Sequence, residues 1–211
     1  DNGKHVLCEA RMSMNSLEAR DMYAASVANP DLTTQIVSPP HLMACEKHLM
    51  DLIADGFIGE VVNVNIRVTD GSSYPDSDAE AHWRQMRELS GNNVMTTGIW
   101  YENLMRLVGT ASSVSANAQI VVPYRRGWDG NRYPMTIPDQ LDVIYSLAGG
   151  GSVNMTVTTV SGSFVPPTEI WIFGTEGTLR IESNGLDVDP KVTGARKGDQ
   201  VMSEIVVPDE K

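Results

Sequence analysis

The sequence predicts an α+β fold: an open, mostly antiparallel six-stranded sheet with helices on one face, preceded by a small strand-helix-strand unit. Three observations predict it. EVVNVNIRV (60–68) alternates apolar and polar residues with the period of a strand that has one wet face. From residue 112 onward similar short runs recur between glycine-rich turns, and strands joined so closely pair antiparallel. Upstream of residue 60 the apolar residues recur at helical spacing instead.

His5 to Cys8 is a short strand that runs into a polar corner. Asn15 and Glu18 have capping-box spacing, and Leu17, Ala24, Ala25 and Ala28 form the apolar stripe of a helix that Asn29-Pro30 stops. Residues 33–38 make a second short strand. Pro39-Pro40 sets up a second helix, striped by Leu42, Cys45, Leu49, Leu52 and Ile53 and ended by Asp55-Gly56. After the strand at 60–68, SYPDSDAEAH (73–82) is a loop of turn formers and acids. WRQMREL leads to SGNN (90–93), a cap for a third helix over 94–108. Strands follow near 112–122, 140–147, 151–161, 168–174 and 177–182, with a weaker one near 201–207. AGGGS (148–152) reads as a hairpin turn, and FGTEGT (173–178) as a tight turn whose glycines supply positive φ. YRRGWDGNRYP (124–134) reads as a loop.

The bulk composition narrows the function. A net charge of −11, from 16 basic and 27 acidic residues, argues against nucleic acid, whose binding is dominated by Lys and Arg contacts to phosphate. Cys8 and Cys45 each sit in an apolar pattern, so a reducing, cytoplasmic setting is expected rather than a disulfide framework. No run approaches the length of a membrane span, and no signal-peptide core follows DNGKH. The first residue is Asp1 rather than Met, so a natural start upstream is expected.

GKHVLCEARMSMN (3–15) resembles the GKHVLCEKP segment of the Gfo/Idh/MocA oxidoreductases. LIADGFIGEVVNVNIRV, HWRQMRELSGNN, GIWYENLMRLVG and IFGTEGTLRIE follow in that family's order. The resemblance implies a Rossmann domain that binds NAD or NADP, then an α+β domain whose open sheet binds substrate and builds oligomers. On that map residues 1–38 are a Rossmann-domain remnant, and 39–211 the substrate and oligomerisation domain. The glycine-rich loop has no counterpart in this sequence, so NAD(P) belongs to the parent family and is not expected to bind this chain alone.

Two departures from the family pattern bear on chemistry. Where the family's Glu-Lys-Pro places a lysine near substrate and cofactor, Glu9 is followed by Ala10, whose methyl cannot replace an ammonium. The family's Asp and His, four residues apart on the helix and serving as a proton relay, fall at Thr96 and Trp100 when anchored on Gly98. Neither residue titrates near neutral pH, so the usual acid/base route is missing.

Thr96, Trp100 and Asn103 share one helical face with Tyr101 beside it, which makes a candidate wall of a substrate cleft. The plainer reading packs Trp100 and Tyr101 against the sheet and pairs Glu102 with Arg106. Arg84 aligns with a "WR" segment near the family's cleft, where its fork would suit a carboxylate or sugar oxygens. His41, Cys45 and His48 have ligand-like spacing on one helix face, but Cys45 belongs to the apolar stripe and no metal is expected. Two functions follow. One is the substrate-binding and oligomerisation part of an NAD(P)-dependent oxidoreductase acting on a sugar-like or small hydroxylated substrate, inactive in hydride transfer as it stands. The other is a stand-alone dimeric binding or scaffold module, or a domain with an unrelated activity such as hydrolysis. Both lead to a homo-oligomer, through the sheet or the exposed N-terminal strands.

Overall fold

The computed structural model describes residues 2–9, 11–37, 41–69, 74–94, 96–162, 166–184 and 190–208. Ala10, Ser38 and the Pro39-Pro40 helix start lie outside them. The fold is α+β. A small N-terminal unit comprises β1 (Val6–Cys8), α1 (Ser16–Val27) and β2 (Thr34–Ile36), with β1 and β2 paired in parallel. The remainder is α2 (Met43–Ala54), β3 (Val61–Thr69), α3 (Arg87–Ser90), α4 (Thr97–Val108), β4 (Ala111–Gln119), β5 (Tyr124–Arg126), β6 (Arg132–Pro134), β7 (Gln140–Leu147), β8 (Ser152–Thr158), β9 (Thr168–Gly174), β10 (Gly177–Ser183), β11 (Lys191–Arg196) and β12 (Ser203–Glu204).

The main sheet has eight strands in the order β12-β11-β10-β9-β3-β8-β7-β4, two more than the six expected. It is also mixed, because β3 lies parallel to β8 while every other neighbouring pair is antiparallel. Of the two beyond that count, the short β12 falls within the weaker strand expected near 201–207, and β11 was not expected. KVTGAR escapes a propensity reading because of Gly194, which is closely packed: a Cβ would meet Ile205 Cδ1 at 2.6 Å and Phe57 Cζ at 2.9 Å, so those side chains would have to shift. The loop expected at 124–134 contains the hairpin β5–β6. The third helix starts at Thr97 rather than 94, and its N-cap is Thr96, with no side-chain cap bond, rather than SGNN.

One face of the sheet is the core. Val64, Ile66 and Val68 of β3, Val153, Met155 and Val157 of β8, and Ile170 and Ile172 of β9 point into it, as the alternation in the sequence requires. Leu42, Cys45 and Leu49 close it from α2, and Trp100, Leu104 and Leu107 from α4. Each fully buried aliphatic side chain contributes about 1.5–3 kcal/mol. Arg106 ties the two helices together, reaching Glu46 at 3.1 Å and Glu102 at 2.6 Å.

FGTEGT forms a tight turn for a reason other than the one expected. Neither Gly174 nor Gly177 has positive φ. Both lie against the chain that enters β3: a Cβ at Gly174 would collide with the Ile58 carbonyl, and one at Gly177 with that of Phe57. The contact is knitted by Glu176 N–H donating to Ile58 O at 2.8 Å and Thr175 N–H to Glu60 O at 3.0 Å. In a strand with room to spare, alanine would be preferred to glycine. Gly174→Ala is therefore expected to destabilise by about 1–3 kcal/mol in urea unfolding; a stabilised variant would show that the approach is not tight.

The opposite face carries polar side chains. Asn63 donates to Ser152 Oγ at 2.9 Å, Asn154 to Asn65 at 3.0 Å, and Thr156 to Asp142 at 2.8 Å. Glu169 accepts from Arg180 at 2.6 Å and Arg67 at 3.2 Å, and Arg180 also meets Glu182 at 2.9 Å. Burial alone would raise the Glu169 carboxyl, but hydrogen bonds from Arg180 and Trp171 and the charges of Arg180 and Arg67 bring it below the ordinary value. A depressed folded value gives stability that is present above the unfolded value and lost as pH falls through the folded one. Glu169→Gln is thus expected to cost about 1–2 kcal/mol at neutral pH, with the gap to the parent closing as the solution is acidified below about 4.5. A gap that ignores pH would assign the loss to packing instead.

Candidate functional site

Three segments meet at the N-terminal end of α4. The connection after β1 packs Met14 against Gly91, whose backbone has φ +67° and whose missing side chain lets the Met14 carbonyl sit where a Cβ would be. His41, just ahead of α2, lies with its ring centroid 4.9 Å from that of Trp100, at 55°. The third segment is 90–97 itself, which delivers Asn93, Thr96 and Thr97. Trp100 is fully buried and carries the floor of this region into the core.

Along this segment and α4, several polar atoms are buried with no hydrogen-bond partner among the described residues: Asn93 Nδ2, Thr96 Oγ1 and Thr97 Oγ1 near the helix start, and both Nδ2 and Oδ1 of Asn103 further along the helix. Asn103 is only 1 % exposed. A buried polar group left unpaired costs about 1–3 kcal/mol, so each of these groups is destabilising unless another molecule supplies it a donor or acceptor. The groups are neutral hydroxyls and amides, a set suited to hydroxyl-rich ligands rather than to anions or cations.

The other residues singled out in the sequence lie apart from this cluster. The Tyr101 hydroxyl accepts from Ala111 N–H at 3.3 Å, and its ring meets Tyr145 edge-on with centroids 5.8 Å apart. It serves the sheet. Arg84 is exposed, with its guanidinium 4.3 Å from the Trp83 ring centroid. Ser90 Oγ donates to Arg84 O at 2.8 Å and Arg87 donates to Thr136 O at 2.7 Å, which fixes the backbone of the segment that bears Arg84. Glu9 is exposed on the connection that leads to Met14, and Ala10 beside it lies outside the described residues. The sequence reading passed over Thr97 and Asn93, whose unpaired polar atoms leave no signal in spacing or composition.

A metal finds no fitting set among the described residues. The Cys45 thiol is pushed up to about 12 by burial and by Glu46, which disfavours the thiolate that zinc needs, and no group of three ligating side chains occurs. At the strand-to-helix corner β1–α1 the first-turn N–H groups are already engaged. There Asn15 Oδ1 already accepts from Leu17 and Glu18 N–H at 3.0 Å, and Glu18 accepts from Met14 N–H at 2.9 Å. The donors are taken and the added charge is negative. No hydride step is derived from this chain's residues.

A D-xylose 1-dehydrogenase [NADP(+)] of Haloarcula marismortui is 29% identical over 182 residues, covering 85% of this chain and 47% of the relative. Among solved structures, an NAD binding oxidoreductase from Klebsiella pneumoniae superposes with a TM-score of 0.82 at 22% identity, over 96% of this chain and 54% of that one. Levoglucosan dehydrogenase in complex with NADH and levoglucosan gives 0.80 at 20% identity, over 96% and 54%. The chain thus spans about half the length of the proteins it matches. Residues 47–180 match the model of the GFO/IDH/MocA C-terminal domain, and the chain belongs to that family.

Proposed function

We propose that this chain is the substrate-binding part of an NAD(P)-dependent sugar dehydrogenase, and that the sugar is held at the N-terminal end of α4. The observation that carries the reading is the set of buried, unpaired hydroxyl and amide groups of Asn93, Thr96, Thr97 and Asn103. A sugar presents donors and acceptors of the same kind on one compact ring. The indole of Trp100 and the His41 ring close the apolar side. On this reading residues 1–38 continue a nucleotide-binding unit of the whole protein, which holds the NAD(P), and 39–211 form the substrate domain.

Thr96 and Trp100 give this site no group that could take or return a proton near neutral pH. That favours a second reading, in which the protein binds a sugar without oxidising it. One experiment separates the two: the protein expressed from its complete reading frame is titrated calorimetrically with D-xylose and with levoglucosan, then assayed with each for NAD(P)H formation. Binding with NAD(P)H formation supports the dehydrogenase, and binding alone supports the second reading. If neither sugar binds, the proposed site is wrong. Thr96→Val and Thr97→Val are each expected to weaken binding about 5- to 10-fold through a lost hydrogen bond, while leaving thermal stability equal or higher. Unchanged affinity would remove the α4 terminus from the site.

The same reading places a second copy of the chain against the polar sheet face, where Trp171 and Phe173 stack with centroids 5.7 Å apart beside the Arg67–Glu169–Arg180 row. Asn154 is exposed near the middle of that face. Asn154→Lys is expected to lower the mass seen by sedimentation to that of the next smaller assembly; an unchanged mass would clear the face of this role.

A further inference from the structure

The two edges of the eight-stranded sheet are built differently. At one edge β12 has two residues, one of them Glu204, and Pro208 follows closely. Short length, charge and proline are the usual devices that keep an edge from pairing with another chain. At the other edge β4, ASSVSANAQ, runs for nine residues without a charge or a proline, in a chain where charged residues make up 20%. Every residue of β4 after Ala111 is exposed, on both faces, and Val114 is 67 % exposed. One irregularity in its pairing with β7 falls between Ala111 and Ser113, which leaves Ser113–Gln119 in unbroken register.

We propose that β4 is a self-pairing edge: it joins β4 of a second copy, antiparallel across a two-fold axis at Ala116, and makes one continuous sheet through both copies. A two-fold at Ala116 sets Ser113 opposite Gln119, Val114 opposite Ala118, and Ser115 opposite Asn117. No like charges meet, and polar side chains face polar ones. On the other face Val114, Ala116 and Ala118 from both copies form one apolar strip. Their small size lets the backbones approach without displacing a side chain. An antiparallel partner also satisfies the N–H and C=O groups that β4 turns outward, with about six to eight backbone hydrogen bonds, two for each hydrogen-bonded pair. A different protein would need its own matching strand, whereas a second copy brings one that fits by symmetry. This edge is separate from the polar face considered above, and the inference does not rest on it.

The test is register-specific cross-linking of the protein expressed from its complete reading frame, with Cys8→Ser to remove the partly exposed thiol and the buried Cys45 retained. At the axis, the two copies of residue 116 have Cβ atoms about 4.5–5.5 Å apart. Ala116→Cys is expected to give mostly covalent dimer with oxidant or a short bifunctional thiol reagent. Val114→Cys, whose twin lies about 14 Å away at 3.4 Å per residue, is expected to stay uncross-linked. Ala116→Lys sets two ammonium groups against each other and is expected to halve the sedimenting mass with unchanged circular dichroism. Failure of Ala116→Cys to cross-link, equal cross-linking at both positions, or an unchanged mass for Ala116→Lys would each overturn the proposal.

Discussion

The fold depends on the position of β3. It is the first strand of the main sheet in the sequence and yet lies in its interior, parallel to β8 on one side and antiparallel to β9 on the other. Neither partner follows within 80 residues, so the sheet cannot close until most of the chain has been laid down. Loop closure of that length adds only slowly to the entropic cost, but it must be met before the central pairs return anything. The lead into β3 has to pass the β9–β10 turn at backbone contact, which is why Gly174 and Gly177 stand where they do. Helices α2 and α4 precede and follow β3 in the chain, and both lay their apolar stripes on the face it helps to form.

Elements with a regular period and no conflicting residue were legible in the sequence. β3, β7, β8, β9 and β10 lie close to where alternation puts them, and α2 keeps its stripe of Leu42, Cys45 and Leu49. The elements that escaped all break a local rule for a reason supplied from far away. Gly194 interrupts β11 because Phe57 and Ile205 fill the space above it. β5 is held on its outer side by residues 79–81, through Arg126 N–H to Ala79 O at 3.2 Å and Ala81 N–H to Arg126 O at 2.8 Å, which no property of YRRGWDGNRYP announces. The parallel β3–β8 pair was hidden too, since closeness in sequence reveals only the hairpins.

The candidate site was legible on one helix and illegible across segments. Thr96, Trp100 and Asn103 share a face by spacing alone, and α4 keeps them together. What spacing could not give is that Trp100 and Asn103 are sealed from water while Arg84 rests on its own neighbour Trp83. Spacing also could not show that the His41 ring lies against Trp100. Asn93 and Thr97 carry no periodic signal at all. Their significance is that their polar atoms are unpaired, and pairing is a property of the folded chain rather than of any segment.

Helices α1 and α2 are each 12 residues long and show how little of a core is decided locally. α1 is the better capped, with Asn15 and Glu18 satisfying its first turn, while α2 has no side-chain cap bond. Yet α1 buries none of its residues, with Leu17 at 68 % and Tyr23 at 70 % exposed, and Leu42, Cys45 and Leu49 of the second stripe are closed off entirely. The difference is what each stripe faces. α2 faces an eight-stranded sheet; α1 accompanies a parallel pair whose Val6 and Leu7 are themselves exposed. Parallel strands are ordinarily covered on both faces, so the N-terminal unit has the hydrophobic surfaces of a larger sheet and few of its neighbours.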